Sequence, residues 1–260
     1  MREVRYGARP PEQARNREVE AASARIWSTA VTVVFETDPE AIAAVLPRPL
    51  EPSAATTARL RIAVVDLGNG MQPFGAGWFG VRARHGDVEG EYALFMPMTT
   101  EQATVGGRET YGEPKKIAAV DLVVEGDSLR GRIARMGSTV VEVEGTLGAE
   151  RPGYEIDKLD FYFKPLPDPS GTGLEGDPAF VYCRRHEIAR VVRPVQGECK
   201  LLEAPLDPVA DFPVLAVRSF EYAEIASTQA GELVGRVPAE WVAPFVHQRY
   251  DDLSVLGARS

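Results

Sequence analysis

Short runs of β-branched and aromatic residues recur along most of the chain, bounded by glycine, proline, aspartate or asparagine. Runs of this length and composition are typical of strands. Gly126-Asp127 and Met136-Gly137 separate pairs of runs, and each predicts a tight hairpin turn. The predicted strands are 26–35, 58–67, 78–84, 90–97, 116–125, 128–136, 138–147, 158–164, 179–193 and 214–225.

Helical signals are few. Asp38 can cap a helix that begins at Pro39 and ends before Pro47, which predicts a helix over 39–46. The stretch around Ala239-Glu240-Trp241 is also partly helical. Many strands with one or two short helices predict a mainly β (α+β) fold, in which one antiparallel sheet closes into a barrel or cone. A closed sheet leaves an interior able to hold a small ligand.

The ends of the chain and one loop differ from this pattern. Residues 1–24 are polar and charged, so they are predicted to form an N-terminal arm, with a loosely attached helix possible over 11–25. The remainder, 25–260, is predicted to form a single domain. The proline-rich stretch 165–178 predicts an ordered loop or lid.

Composition narrows the class of protein. The net charge of −9 and the pI of about 5.0 argue against a nucleic-acid binder and against a polybasic membrane anchor. No apolar run approaches the roughly 20 residues that span a bilayer, and the N-terminus lacks the apolar stretch of a signal peptide. With only two cysteines, Cys183 and Cys199, we expect a cytoplasmic protein with reduced thiols that uses no membrane and no nucleic acid.

The segment 106–116 is the most informative for chemistry. It ends in Pro114-Lys115-Lys116, where an apolar run begins. Two adjacent ammonium groups repel each other, and burial in an apolar cavity would lower the pKa of one of them further. A neutral amine can attack a ketone and form a Schiff base, whose protonated form withdraws electrons from the adjacent carbon. The alternative to a reactive lysine is that the segment forms a solvated, charged turn.

The segment resembles the signature of the acetoacetate decarboxylase family, which runs from glycine-arginine-glutamate to proline-lysine-lysine. Here these residues are Gly107-Arg108-Glu109 and Pro114-Lys115-Lys116. Upstream, Gly90-Glu91-Tyr92 resembles the family's glycine-acidic-tyrosine strand start, and Val45–Glu51 resembles its short helix followed by Pro-x-Pro-Leu. The resemblance runs from about residue 27 to 125. The family is itself a known example of a lysine activated by a neighbouring cation.

The resemblance implies the roles of several residues. Lys115 would be the Schiff-base lysine of a cofactor-independent lyase, and Lys116 the neighbour that helps to lower its pKa. Arg108 and Glu109 would hold the loop or contact the substrate. Glu113 would act in acid–base chemistry or pair with a lysine, and Tyr111 would donate a hydrogen bond to a keto acid or simply pack. The resemblance also implies a homo-oligomer and a small keto acid as substrate.

Two positions depart from the family pattern. Where decarboxylases of the family carry an arginine on the first strand and a glutamate before the Gly-acidic-Tyr strand, this chain has Ser28 and Ala76. Nearby arginines are Arg25, Arg82 and Arg84; the last two alternate on one strand, which is typical of a solvated face.

These departures leave three hypotheses open. The first is decarboxylation of a β-keto acid, and the second is an aldolase-dehydratase that joins pyruvate or a similar 2-keto acid to an aldehyde. The third is a non-catalytic small-molecule binding protein on the same fold. The three histidines, His85, His186 and His247, lack the spacing of a metal site, so no metal or other cofactor is expected. Trp78, Phe79, Phe95, Met96 and Met98 are candidates to line an apolar pocket, although packing alone would also explain them.

Overall fold

The computed structural model of the chain describes residues 5–10, 26–67 and 72–257. The helices in these ranges are α1 (Pro39–Val45), α2 (Glu101–Thr110) and α3 (Ala239–Val242), with 3-10 turns at Val209–Asp211, Ala243–Gln248 and Leu253–Leu256. The strands are β1 (Ile26–Glu36), β2 (Glu51–Pro52), β3 (Thr57–Asp66), β4 (Phe74–His85), β5 (Val88–Met98), β6 (Lys115–Ile117), β7 (Ala119–Glu125), β8 (Ser128–Arg135), β9 (Ser138–Leu147), β10 (Tyr154–Lys164), β11 (Ala179–Leu201) and β12 (Ala216–Arg236).

Seven of the strands close into a barrel. Their order is β10-β5-β4-β3-β1-β12-β11, and pairing between β10 and β11 completes the ring. The neighbours are antiparallel except β5 and β10, which share a short parallel contact. Beyond that contact β5 pairs in parallel with β6, so that β6 continues the wall. The predicted mainly β fold with a closed sheet is confirmed.

A second sheet covers part of the barrel. It consists of β7, β8, β9 and the last part of β11, which pairs with β9 from Val195 to Leu201. Strand β11 is 23 residues long and therefore runs through both sheets. An ideal Cβ on Gly131 of β8 would lie 3.0 Å from Cδ1 of Ile62, so the second sheet packs closely on the outer face of the barrel.

The main hydrophobic core lies outside the barrel wall, because the wall strands alternate. On β3, Leu60 and Ile62 point outward and are buried with Leu129 and Ile133 of the second sheet. Arg59 and Arg61 occupy the intervening positions and point into the barrel. This period-2 alternation gives one wall an apolar outer face and a polar inner face.

Most local predictions match the structure. Helix α1 begins at Pro39, and the side chain of Asp38 accepts a hydrogen bond from the amide of Glu40 (2.8 Å). The predicted hairpins join β7 to β8 and β8 to β9, with Gly126, Met136 and Gly137 at positive φ. The described part of the chain contains no helix long and apolar enough to cross a membrane, and both cysteines are free.

Two features differ from the predictions, and a third prediction falls outside the described residues. The single run predicted at 116–125 is two strands, β6 and β7, and β11 and β12 extend well past their predicted ends. The segment carrying Arg108 and Glu109, predicted as a loop, is helix α2, because Thr100 caps it and outweighs the low helix propensity of its two glycines. Most of the predicted arm, with its possible helix, and Arg25 lie outside the described residues.

Candidate active site

Lys115 lies on the inner side of the wall, and its amine contacts a buried carboxylate. The residue pairs with Met96 across the β5–β6 contact. Its Nζ lies 2.6 Å from Oε2 of Glu113, and its side chain is 14% exposed. Two residues upstream on the chain, Glu113 is thus held against the amine at ion-pair distance.

Glu113 is fully buried and has further partners. Its Oε1 accepts a hydrogen bond from Nη2 of Arg185 on β11 (2.8 Å) and a longer one from Nε2 of Gln229 on β12 (3.4 Å). Burial alone would raise the pKa of Glu113, but the positive charges of Lys115 and Arg185 outweigh it and hold the pKa below its usual value. Glu113 is therefore a carboxylate at neutral pH.

Arg185 links this pair to a second buried acid. Its Nε donates to Oδ2 of Asp160 on β10 (2.8 Å), which also accepts from the Tyr162 hydroxyl (3.1 Å). Burial and the nearby Asp160 raise the pKa of Tyr162, so its hydroxyl remains a neutral donor. The guanidinium of Arg185 thus spans two carboxylates and fixes where the carboxylate of Glu113 lies.

An apolar cluster borders the same end of the barrel. Of the residues predicted to line an apolar pocket, Trp78, Met96 and Met98 belong to it, whereas Phe79 and Phe95 lie in the outer core. Burial raises the pKa of Cys183 to about 12, so its thiol stays protonated. The buried members of the cluster are Trp78, Ala93, Met96, Met98, Ala103, Tyr162, Val181 and Cys183.

Helix α2 approaches the amine through a glycine. A Cβ at Gly107 would lie 1.8 Å from Oε2 of Glu113 and 2.6 Å from Nζ of Lys115. No side chain fits at these distances, so the glycine of the signature is required by the close approach of helix and amine.

The inner face of the barrel lines an open cavity of about 1100 Å³. Arg185 and Gln229 line this cavity, and both also contact Glu113. Lys115 does not line the cavity directly, so Glu113 is its connection to the cavity. Ion pairs fill much of the inner face. They include Arg59 with Glu91 (2.5 Å), Arg61 with Glu187 (2.6 Å), Lys158 with Glu187 (2.7 Å), and Arg82 with Glu89 (3.3 Å).

Lys116 points to the opposite side of the wall. Its Nζ lies 2.9 Å from Asp207 and 3.0 Å from Asp251, and the same two carboxylates pair with Arg135. The ammonium lines a separate cavity of about 240 Å³ outside the barrel. Since Lys116 is buried among opposite charges, its contacts tie the C-terminal region to the wall. They do not place its charge beside Lys115.

Comparison with known proteins identifies the family. The family model described as acetoacetate decarboxylase matches residues 8–237. The chain belongs to the acetoacetate decarboxylase family. An acetoacetate decarboxylase of Streptomyces nogalater is 29% identical over 205 residues, which cover 73% of this chain and 79% of that protein.

Solved structures of the family share the fold. A structure from a study of acetoacetate decarboxylase superposes with a TM-score of 0.71 at 17% identity, covering 84% of this chain and 92% of that one. The enduracididine biosynthesis enzyme MppR, complexed with the condensation product of pyruvate and imidazole 4-carboxaldehyde, gives a TM-score of 0.68 at 16% identity, covering 80% and 88%.

Three further residues with predicted roles, Arg108, Glu109 and Tyr111, lie in different surroundings. Arg108 donates from Nη1 to the backbone carbonyl of Lys115 (2.8 Å), which suits the loop-holding role predicted for it, although here it acts from a helix. Glu109 is exposed at the surface. The ring of Tyr111 lies 2.6 Å from the place where a Cβ on Gly231 would be, so Tyr111 packs against β12.

The two positions that depart from the family pattern carry small side chains and lie on strands of the barrel. Ser28 on β1 pairs with Val65 and Ile225, and Ala76 on β4 packs against the apolar cluster. Of the arginines near them in sequence, Arg82 lines the cavity, and Arg84 pairs with Glu51 at the surface. The two arginines predicted to share a solvated face are each more than a third exposed.

Sequence reasoning missed the residues that hold Glu113. Arg185, Asp160 and Gln229 lie on strands far along the chain from the signature, and Arg249 near the C-terminus donates to the carbonyls of Gly112 (2.7 Å) and Glu113 (2.9 Å). Charges at alternate strand positions were visible on β10 and β11, but that pattern is typical of a solvated face. The described residues contain no cluster of His, Cys, Asp or Glu that could hold a metal ion.

Proposed function

We propose that this member of the family is a cofactor-independent lyase that decarboxylates a β-keto acid through an imine on Lys115. The observation that carries the proposal is the 2.6 Å contact between Nζ of Lys115 and the buried carboxylate of Glu113. A nucleophilic amine needs a nearby group to take its proton, and this carboxylate is in place to do so.

The chemistry follows from these two side chains. Glu113 accepts a proton from the Lys115 ammonium, and the free amine attacks the ketone carbon of the substrate. Glu113 returns that proton to the departing hydroxyl, so the carbinolamine loses water and becomes a protonated imine, whose positive charge the Glu113 carboxylate then stabilises. The carbon–carbon bond to the substrate carboxylate breaks, and carbon dioxide leaves. The electron pair of the broken bond moves towards the iminium nitrogen and forms an enamine. Protonation at carbon and hydrolysis then release the ketone and regenerate Lys115.

Aldol condensation with dehydration is the second candidate. It shares the imine, but a base must then remove a proton from the carbon next to it, and the enamine attacks an aldehyde. The Glu113 carboxylate is ionised at neutral pH, is fixed by Arg185, and lies beside the nitrogen that would carry the imine, so its position suits this base role. MppR, which shares the fold, is described as complexed with a condensation product of pyruvate.

Reductive trapping tests the shared step. Borohydride with acetoacetate or pyruvate should leave a reduced imine on the peptide that carries Lys115; its mass corresponds to the bound keto acid or, where carbon dioxide has already left, to the ketone product. Lys115→Arg keeps the charge beside Glu113 but cannot form an imine, so it should lose both this adduct and turnover. Lys200→Arg, at an exposed position, serves as the matched control. No adduct at Lys115 with any keto acid would favour the non-catalytic binding protein.

Product analysis separates the two lyases. Carbon dioxide in the headspace above enzyme and acetoacetate supports decarboxylation. A dehydrated aldol product from pyruvate plus an aldehyde, without carbon dioxide, supports condensation.

Lys116 provides a further test of the site. Because its ammonium pairs with Asp207 and Asp251, we expect Lys116→Gln to lower the melting temperature and leave imine trapping at Lys115 intact. A folded Lys116→Gln protein that no longer forms the adduct would instead support the charge repulsion predicted from the sequence.

Gly107→Ala should disrupt the pair of Lys115 and Glu113. The new methyl group cannot occupy the space beside the two side chains, so turnover should fall at least tenfold even if the fold survives. Gly235→Ala, where the added methyl group meets open space, is the control. Full activity of Gly107→Ala would contradict the close packing of helix α2 on the amine.

A further inference from the structure

A second amine faces the large cavity. Lys158 lies in β10 opposite Arg185 of β11, and it lines the cavity on the same strand face as Asp160 and Tyr162. Its side chain is 16% exposed and lines the cavity, although most of the residue is buried. The position is far in sequence from the signature at 106–116.

The amine of Lys158 shares its carboxylate partner, Glu187, with Arg61. Its Nζ donates to Oε2 of Glu187 (2.7 Å), and Glu187 also accepts two hydrogen bonds from Arg61 (2.6 and 3.0 Å). Burial, together with the charges of Arg61 and Arg59, lowers the pKa of Lys158 to about 8 in spite of Glu187. The other charged or titratable groups around it are Glu91 on β5, Asp160 on β10, Arg185 on β11, and the hydrogen-bonded pair of Tyr154 and Glu221 from β10 and β12.

We propose that Lys158 is a second carbonyl-reactive amine, which forms a reversible imine with small ketones and aldehydes that enter the barrel. The neutral Nζ adds to the carbonyl carbon, a carbon–nitrogen bond forms, and the carbonyl oxygen leaves as water. The two protons of the neutral amine leave with that oxygen, and the Glu187 carboxylate, at hydrogen-bond distance, orients the amine. Neighbouring cations and burial are the two means by which proteins activate a lysine, and both act at this position.

Pyruvate and cyanoborohydride test the proposal in a protein without Lys115. In Lys115→Arg, reduction of the imine should leave a stable secondary amine on the peptide that carries Lys158. Labelling should rise severalfold between pH 7 and pH 9 as the amine loses its proton. Lys200, exposed and paired with Glu198, has a raised pKa and should stay essentially unlabelled over this range.

Controls separate this site from Lys115. Lys158→Arg should lose the adduct at position 158 and keep the one at Lys115, so failure of either site is seen independently. If Lys158→Arg does not fold, competitive acetylation of the wild-type chain at a series of pH values replaces it. No adduct at Lys158 in Lys115→Arg, or labelling no faster than at Lys200, overturns the proposal.

Glu187→Gln adds a readout that a purely structural role would not change. Removing the carboxylate removes the charge that favours the ammonium form of Lys158. The pH midpoint of labelling should therefore move downward by a measurable fraction of a pH unit. An unchanged or higher midpoint contradicts the assignment of Glu187 as the partner of this amine.

Discussion

The two faces of the barrel wall bury different kinds of side chain. Outside, residues such as Ile62 pack against the second sheet, and the buried surface there is apolar. Inside, their strand neighbours such as Arg61 form a network of ion pairs around the cavity. Burial of apolar area stabilises the fold, whereas burial of charges costs solvation that only good partners offset. The outer face therefore stabilises the fold through apolar burial, whereas the inner face lines the cavity with charges that are held by their partners.

Breaking an inner ion pair should have the largest effect on stability. Arg61→Met leaves Glu187 with only Lys158 and should cost about 3–5 kcal/mol of unfolding free energy. The double variant Arg61→Met/Glu187→Leu also removes the carboxylate that lost its arginine; because Lys158 then loses its partner, the double variant should recover only part of that loss. Denaturant unfolding of both variants measures this, and a double variant as unstable as the single one would contradict it.

The neighbouring residue on the outer face should behave differently. Ile62→Ala removes methyl groups from a fully buried position and leaves a cavity there, so it should cost about 2–5 kcal/mol. Ile62→Val should cost only about 0.5–1.5 kcal/mol. Both variants should keep imine formation at Lys115 at temperatures where they are folded. Loss of the adduct in folded Ile62→Val would mean that the two faces are coupled.

Acid should destabilise the protein through the inner face. Opposite charges outweigh burial to lower the pKa of Glu113, Glu91 and Glu187 below the ordinary value of 4.5. Around that pH the folded state binds fewer protons than the unfolded state. The stability that these carboxylates contribute is therefore complete above the ordinary value and is lost as pH falls below it.

Melting temperature as a function of pH measures the effect. It should decline steadily below about pH 4.5, the ordinary value for glutamate. The Arg61→Met/Glu187→Leu variant, which lacks one of the three carboxylates, should show a shallower decline. Equal slopes for the two proteins would show that the lost stability comes from elsewhere.

The smallest effect concerns a single inner hydrogen bond. Arg61 donates from Nε to the Thr32 hydroxyl (3.1 Å), and Thr32→Val should cost about 0.5–1.5 kcal/mol, while Thr32→Ser keeps the acceptor. Unfolding midpoints of the two variants provide the comparison. A Thr32→Val protein as stable as wild type would indicate that water replaces the hydroxyl.

Much of the fold could be predicted from local signals. Helix α1 follows from Asp38 and Pro39, and the hairpins around Gly126 and Gly137 follow from their turn chemistry. Helix α2 could not be predicted, because Gly106 and Gly107 are unfavourable inside a helix. The reason for Gly107 is tertiary: a side chain there would collide with Glu113 and Lys115.

The candidate site was predicted in part. The signature located Lys115 and Glu113, which the structure brings to 2.6 Å, and Arg108, which hydrogen-bonds the Lys115 carbonyl. It did not reveal that Lys116 faces the other side of the wall. That follows from strand geometry once β6 is known to begin at Lys115, since successive side chains on a strand point in opposite directions.

The sequence by itself determined most of the strands, the turns and the candidate lysine, because these depend on residue types at short spacing. Only the tertiary structure decided which face of each strand became the inside. Alternating charges such as Lys158 and Asp160, or Arg185 and Glu187, are compatible with a solvated surface or with a closed interior. Pairing of β10 with β11 in the closed barrel placed them inside, where each charge pairs with a partner on the neighbouring strand.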